Sequence, residues 1–143
     1  MGERLMTVLT VALIMIFGPY VLTSIMNGRN GSSSSLEGIN TGKDVIIQLN
    51  GENYLVDVEV YIAGVLPGLI DWRQDVSLIE AQAVAVRTNV YYVMGSKDII
   101  NASELEYTYY TREELIEKYG KRSGESAVKV YEKAVSETVG ISE

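Results

Sequence analysis

The sequence predicts an α+β domain with more helix than strand, preceded by one apolar segment near the N-terminus. Three observations carry that prediction. Val76 to Met94 is a long run rich in Ala, Leu and Val, free of Gly and Pro, and it stops at Gly95, a natural C-terminal helix cap. Two short β-branched or aromatic runs flank Asn50-Gly51, the strongest short hairpin signal. Leu5 to Met26 carries no charge. The 143 residues leave room for one membrane segment and one domain of about 100 residues, large enough for a single core.

Leu5 to Met26 lies between Glu3-Arg4 and Arg29. At about 1.5 Å per residue it crosses a bilayer core of roughly 30 Å, so residues 5–26 read as an uncleaved transmembrane anchor. A cleavable signal peptide is the rival, but its apolar stretch usually runs about 7–15 residues, and no small-x-small cleavage site follows here. Pro19 can kink a membrane helix without breaking it. Arg4 and Arg29 balance, so charge leaves the orientation open. Residues 27–42 contain Asn27-Gly28, Asn30-Gly31 and four consecutive serines, too polar and flexible to fold, and read as a linker. The folded domain is expected over 43–143.

Within that domain Asp44 to Leu49 and Tyr54 to Val56 read as a small hairpin. Asp57 can cap a short helix through Tyr61 and Val65 that Pro67 and Gly68 end. The central helix has two start signals: Asp75 as cap, or Ser77 with Glu80 as a capping box. Along it Glu80 and Arg87 share one narrow stripe, and Gln82 and Asn89 another on roughly the opposite side. The residues between are apolar, which predicts a buried central element. Lys97 to Glu106 reads as loop and Glu104 to Tyr110 as a tyrosine-bearing strand. Thr111 and Glu114 form a second capping box, opening a helix to Tyr119 that Gly120 stops. Lys121 to Gly124 reads as a turn. Glu125 to Thr138 is the last helix, with Ala127, Val128, Tyr131, Ala134 and Val135 at core spacing and Gly140 as its stop.

Lys and Arg number 12 against 19 Asp and Glu, a net charge of −7. That balance argues against a nucleic-acid groove and against docking onto anionic lipid, both of which need positive charge. Cys and His are both absent, which removes disulfides, thiol nucleophiles, Ser-His triads and ordinary zinc sites. Catalysis, if any, must use carboxylates, Tyr, Lys or Arg. No cofactor and no metal is expected.

The order Tyr61-Ile62-Ala63-Gly64-Val65, a short connection, then Glu80-Ala81-Gln82-Ala83-Val84-Ala85-Val86-Arg87-Thr88 resembles the core signature of stage II sporulation protein D (SpoIID/LytB) domains. Their pattern is Y-x-x-G-V-V-x-x-E-M-P, a spacer, then A-L-K-A-Q-A-x-A-A-R-T. The A-Q-A-x-A-x-R-T part is the specific one. The resemblance covers roughly Tyr54 to Gly140. In the family a segment resembling Tyr131 to Gly140 leads into a further β-rich portion, so a domain shortened at its C-terminus is one reading left open. The resemblance implies a Gram-positive, spore-forming source and a single-pass plasma-membrane protein with its domain on the extracytoplasmic side. It implies peptidoglycan glycan strands as partner, with other cell-wall or sporulation proteins as further partners.

Domains of this family resemble lytic transglycosylases, in which one carboxyl group acts first as general acid on the leaving oxygen and then as base on the sugar's own hydroxyl. Such a group needs a raised pKa in a partly apolar cleft. In the family pattern it is the Glu of G-V-V-x-x-E-M-P. The corresponding run here is Gly64 to Asp71, and Leu69 occupies the Glu position. Leucine cannot transfer a proton. The remaining catalytic candidates are Asp71, beside Trp72, and Glu80. Against them stand a solvated loop role for Asp71, a core role for Trp72, and a capping or Arg87-paired role for Glu80. Trp72 can otherwise stack on a sugar. Arg87 either contacts a glycan or peptide-stem carboxylate, or is a buried anchor to Glu80, Asp71 or a backbone carbonyl. Gln82 and Asn89 either bind sugar hydroxyls or satisfy neighbouring backbone. Tyr61, Tyr92, Tyr119 and Tyr131 read as packing residues, which leaves Tyr107, Tyr109 and Tyr110 as glycan candidates.

Three readings follow. The favoured one is a membrane-anchored wall protein that binds or scaffolds peptidoglycan without catalysis, in sporulation or cell-wall remodelling. The second is a transglycosylase-type enzyme with a relocated carboxylate. The third is a degenerate or truncated interaction module. Whether the chain is an enzyme stays open, leaning to no.

Overall fold

The computed structural model describes Leu36 and residues 38–141. The expected anchor at 5–26 and most of the linker lie outside the described residues. Among the described residues no helix is long and apolar enough to cross a membrane.

Asn50 and Gly51 adopt φ of 52° and 83°, the left-handed pair a tight hairpin turn requires. They join β1 (Asp44–Leu49) to β2 (Glu52–Asp57) in antiparallel register, Val45 opposite Val56 and Ile47 opposite Tyr54. The expected hairpin is thus present, but it is part of a larger sheet. β3 (Ile99–Asn101) runs parallel along the other edge of β1, giving the order β2-β1-β3. Three residues with only Ile100 buried are too short to display a period, so this stretch reads as loop from sequence.

α1 (Val58–Val65) begins where Asp57 accepts the Glu59 amide at 2.9 Å. The other Asp57 oxygen accepts the Thr41 amide and hydroxyl at 2.7 and 2.9 Å, tying the preceding loop to the helix start. A 3-10 turn, Leu66–Gly68, follows α1. α2 (Val76–Met94) has the expected bounds, with Asp75 as its cap: it accepts the Ser77 amide at 2.9 Å, so Ser77 already lies in the first turn and the alternative box with Glu80 does not form. Gly95 ends it with φ 57°.

The expectation that α2 is a buried central element rather than a surface amphipathic one needs correction. Ile79, Ala83, Val86, Arg87, Val90 and Met94 are buried, whereas Leu78, Ala81, Ala85, Asn89 and Tyr92 form an exposed stripe without charge. Tyr92, expected in the core, is 84% exposed. An uncharged stripe looks like core in sequence because nothing polar enough marks it as surface.

Residues 106–111 form no strand. Their backbone meets a helix end instead, the Tyr110 amide donating to the Gly64 carbonyl at 2.8 Å. α3 (Arg112–Tyr119) opens with the expected box: Thr111 Oγ1 accepts the Glu114 amide at 3.2 Å and Glu114 Oε2 accepts the Thr111 amide at 2.7 Å. α4 (Lys121–Glu137) starts four residues before its expected beginning at Glu125, so Lys121 to Gly124 is its first turn rather than a loop. Gly124 is there for packing. A Cβ on it would lie 2.5 Å from Ile116 Cα and 2.8 Å from the Leu115 carbonyl, so only glycine lets α4 approach α3 this closely.

Val45 and Ile47 of β1 bury their side chains with α1, α2 and α4, whose Tyr61, Ile62, Ile79, Val86, Val90, Ala127 and Tyr131 form one contiguous cluster. Each fully buried large apolar side chain contributes roughly 1.5–3 kcal/mol relative to exposure.

Candidate functional site

Two buried charges connect the three helices of the core. Glu59, in the first turn of α1, and Arg87, in the middle of α2, each have side chains 1% exposed. Arg87 Nη2 donates to Glu59 Oε2 at 2.7 Å and Nε to Oε1 at 3.0 Å, a two-pronged pair. The remaining donors turn to the end of α4. They reach the Val135 carbonyl at 3.3 Å, Thr138 Oγ1 at 3.3 Å and the Ile141 carbonyl at 3.1 Å. Thr138 Oγ1 in turn donates toward the Ala134 carbonyl at 2.8 Å. A guanidinium out of water must fill its donors this way, because an unpaired buried charge is strongly destabilising. The arginine is a structural anchor, as one of its two readings has it, though its carboxylate partner is Glu59 and not Glu80 or Asp71.

Glu59 is the residue that sequence reasoning missed. Its sequence signal is weak: Ile62 and Leu66, three and seven positions on, are apolar and share its face, but an acidic side chain in a first helical turn is equally at home in solvent.

A second group of side chains lies where α1 passes into the 3-10 turn. Tyr61 is fully buried, and its ring stacks on Tyr109 with centroids 5.9 Å apart and planes 11° from parallel. Tyr109 covers Gly64, where any Cβ would collide with the ring; Tyr110 covers Gly68 in the same manner, 3.1 Å from the site of a Cβ. Tyr107 Oη accepts a hydrogen bond from Asn89 Nδ2 at 3.0 Å. Burial, and then the neighbouring Tyr107, push the Tyr61 hydroxyl up to about 12. Burial followed by Glu113, Glu132 and Glu114 raises Tyr109 to about 12 as well. Both stay protonated and neutral at any physiological pH.

The third group follows the 3-10 turn. Leu69 caps that turn and is 43% exposed. Asp71 forms a two-pronged, solvent-exposed pair with Arg73, Oδ1 to Nε at 3.0 Å and Oδ2 to Nη2 at 2.8 Å. Those hydrogen bonds and the Arg73 amide lower its pKa to about 2. That is opposite to the direction a general acid needs. Trp72 is half-buried, with Tyr119 edge-on at 6.4 Å and the Arg73 guanidinium 5.9 Å from its ring centre. Its indole nitrogen is buried without a hydrogen-bond partner among the described residues. Tyr131 Oη donates to the Ile70 carbonyl at 2.6 Å, fixing the turn onto α4.

The structure therefore gathers Asn89 and Tyr109 with Tyr61 and Tyr107 on one side of the α1 end, and Asp71 with Trp72 beyond the turn. Gln82 is half-buried two helical turns before Asn89, on the same face of α2. Glu80 is half-buried near the start of that helix. No group of three or more His, Cys, Asp or Glu able to hold a metal ion occurs among the described residues.

A small helix-rich α+β domain, held by one buried ion pair and faced with tyrosines, is the class this fold and site define. Residues 44–142 match the model of the family described as stage II sporulation protein, SpoIID, and the chain belongs to that family. Membership gives it a sporulation- or cell-wall-related role at the level of the family. Neither the comparison with curated proteins nor that with solved structures gives a match.

Proposed function

We propose that the chain is a peptidoglycan-binding or scaffolding protein, anchored by residues 5–26 with its domain on the extracytoplasmic side, and that it does not cleave glycan. The observation that carries this reading is the chemistry around the 3-10 turn. Leu69 stands at the position where the family pattern has its carboxylate, exposed at the end of that turn. Asp71, the nearest carboxylate along the chain, is held ionised by Arg73 at about 2. A group with that pKa carries no proton to donate at neutral pH, and its clamp occupies both oxygens. Neutral hydrogen-bonding side chains with aromatic neighbours, as Asn89 is beside Tyr107, suit recognition of sugar hydroxyls and ring faces, and Gln82 and Tyr109 are the further candidates.

The test is incubation of the full chain, in detergent, with purified peptidoglycan sacculi. The pellet is scored for bound protein and the supernatant analysed by mass spectrometry for anhydro-muropeptides. Bound protein without anhydro products is the expected result. Their appearance would overturn the non-catalytic reading, and Asp71→Asn and Glu80→Gln would then identify the carboxylate responsible.

A further inference from the structure

The outer side of a surface helix normally carries charge. Between Val76 and Gly95, however, the charged residues are Glu80 and Arg87, and both lie on the inward side, half-buried and buried. The outward side is Leu78, Ala81, Ala85, Asn89 and Tyr92, which at about 100° per residue fall within an arc of about 80°. Its two large members stand well clear of the domain, Leu78 54% exposed and Tyr92 84%. Counted from Ala85, the stripe has the same spacing in both directions. Ala81 and Asn89 lie four residues to either side, Leu78 and Tyr92 seven.

We propose that this stripe is a two-fold seam on which a second copy of the chain docks, α2 against α2 and antiparallel, with the axis passing at Ala85. The symmetric spacing is what selects a second copy, because a two-fold contact needs a patch that fits itself after a half-turn. Ala85 then faces its own equivalent, Ala81 faces the partner's Asn89, and Leu78 packs on the partner's Tyr92. Alanine at the centre lets the axes approach to about 8 Å, and the large side chains close over each end. Asn89 already holds Tyr107 at 3.0 Å, and the small residue opposite leaves room for that pair.

Charge favours the same occupant. The chain has a net charge of −7, so two copies repel wherever carboxylates face each other, and this stripe lets them meet without that penalty. The antiparallel arrangement also sets the positive start of each α2 beside the negative end of the other. Asp75 comes level with the partner's Gly95, two residues short of its exposed Lys97. The seam is small. A helix of 19 residues is about 28 Å long, and a face about 10 Å wide gives roughly 300 Å² per copy, below the ~800 Å² per partner of a standard interface. The dimer is therefore transient and forms where copies are concentrated, as two chains anchored in one membrane are.

Disulfide trapping captures such a dimer, and the chain has no cysteine of its own to interfere. The full chain in detergent is oxidised as Ala85→Cys and as Ala81→Cys. Cysteines on the axis meet within disulfide reach, about 4–7 Å between Cα atoms, whereas two copies of position 81 lie about 12 Å apart along the seam. Ala85→Cys should crosslink and Ala81→Cys should not. Adding Tyr92→Glu to Ala85→Cys removes an aromatic anchor and puts a carboxylate in the seam, and should cut the crosslinked fraction at least about tenfold with the circular dichroism unchanged. Ala85→Cys that stays monomeric would overturn the second copy as occupant and leave the stripe to a different protein. Equal crosslinking of Ala81→Cys would overturn the antiparallel two-fold, and crosslinking that survives Tyr92→Glu would put the contact elsewhere in the chain.

Discussion

Arg87 joins α1, α2 and the end of α4 through one guanidinium, and the cost of losing it is set by what stays behind. Arg87→Met leaves the Glu59 carboxylate buried and unpaired, a loss of about 3–5 kcal/mol. Combined with Glu59→Leu, the loss should fall well below the sum of the two single changes, because a hydrophobic pair of similar volume leaves no orphaned charge. Urea denaturation of the two single variants and the double variant measures the coupling, and additive losses would refute it. Half of this pair was legible in sequence. A charged residue amid Ala and Val announces that it needs a partner, but Glu59 lies in the first turn of a helix, where an acidic side chain is equally at home in solvent. Tyr61 and Tyr109 show the same asymmetry: one reads as core and the other as surface, and that their rings stack is a tertiary fact no spacing contains.

Helices bounded by strong local chemistry were placed correctly. α2 runs between Asp75 and Gly95, and α3 opens at the Thr111–Glu114 box. Where an element depends on its neighbour, local reading fails. β3 exists because β1 offers it an edge, and α4 begins at Lys121 because Gly124 contacts α3, although a glycine four residues into a run looks like a break. Gly124→Ala, mild on an isolated helix, should therefore destabilise this one. Its methyl would press on the Ile116 backbone, costing about 1–3 kcal/mol and visible as a lower denaturant midpoint with unchanged m. An unchanged or higher midpoint would show that the helices separate freely.

At the scale of the whole molecule, the sheet and three of the helices share one apolar cluster, and that continuity predicts one cooperative unfolding transition. Far-ultraviolet circular dichroism and fluorescence of Trp72, the one tryptophan of the chain, should report the same midpoint. Two separated midpoints would mean that the hairpin and the helices are independent units. The α+β class was legible because its strongest signals are local, and the candidate surface was legible as residue types. Its assembly was not, since Gly64, Tyr109 and Asn89 are distant in sequence and meet only through packing.

The central place of β1 also orders events in time. Its pairing with β2 is a neighbouring-strand contact closed by a two-residue turn, available within microseconds. Its pairing with β3 joins Val45 to Ile100, closing a loop of 55 residues (100 − 45) that contains all of α1 and α2. That loop's entropy must be overcome before the parallel bonds repay it. The parallel edge therefore closes after the hairpin, and β3, with three residues, is the shortest of the described strands.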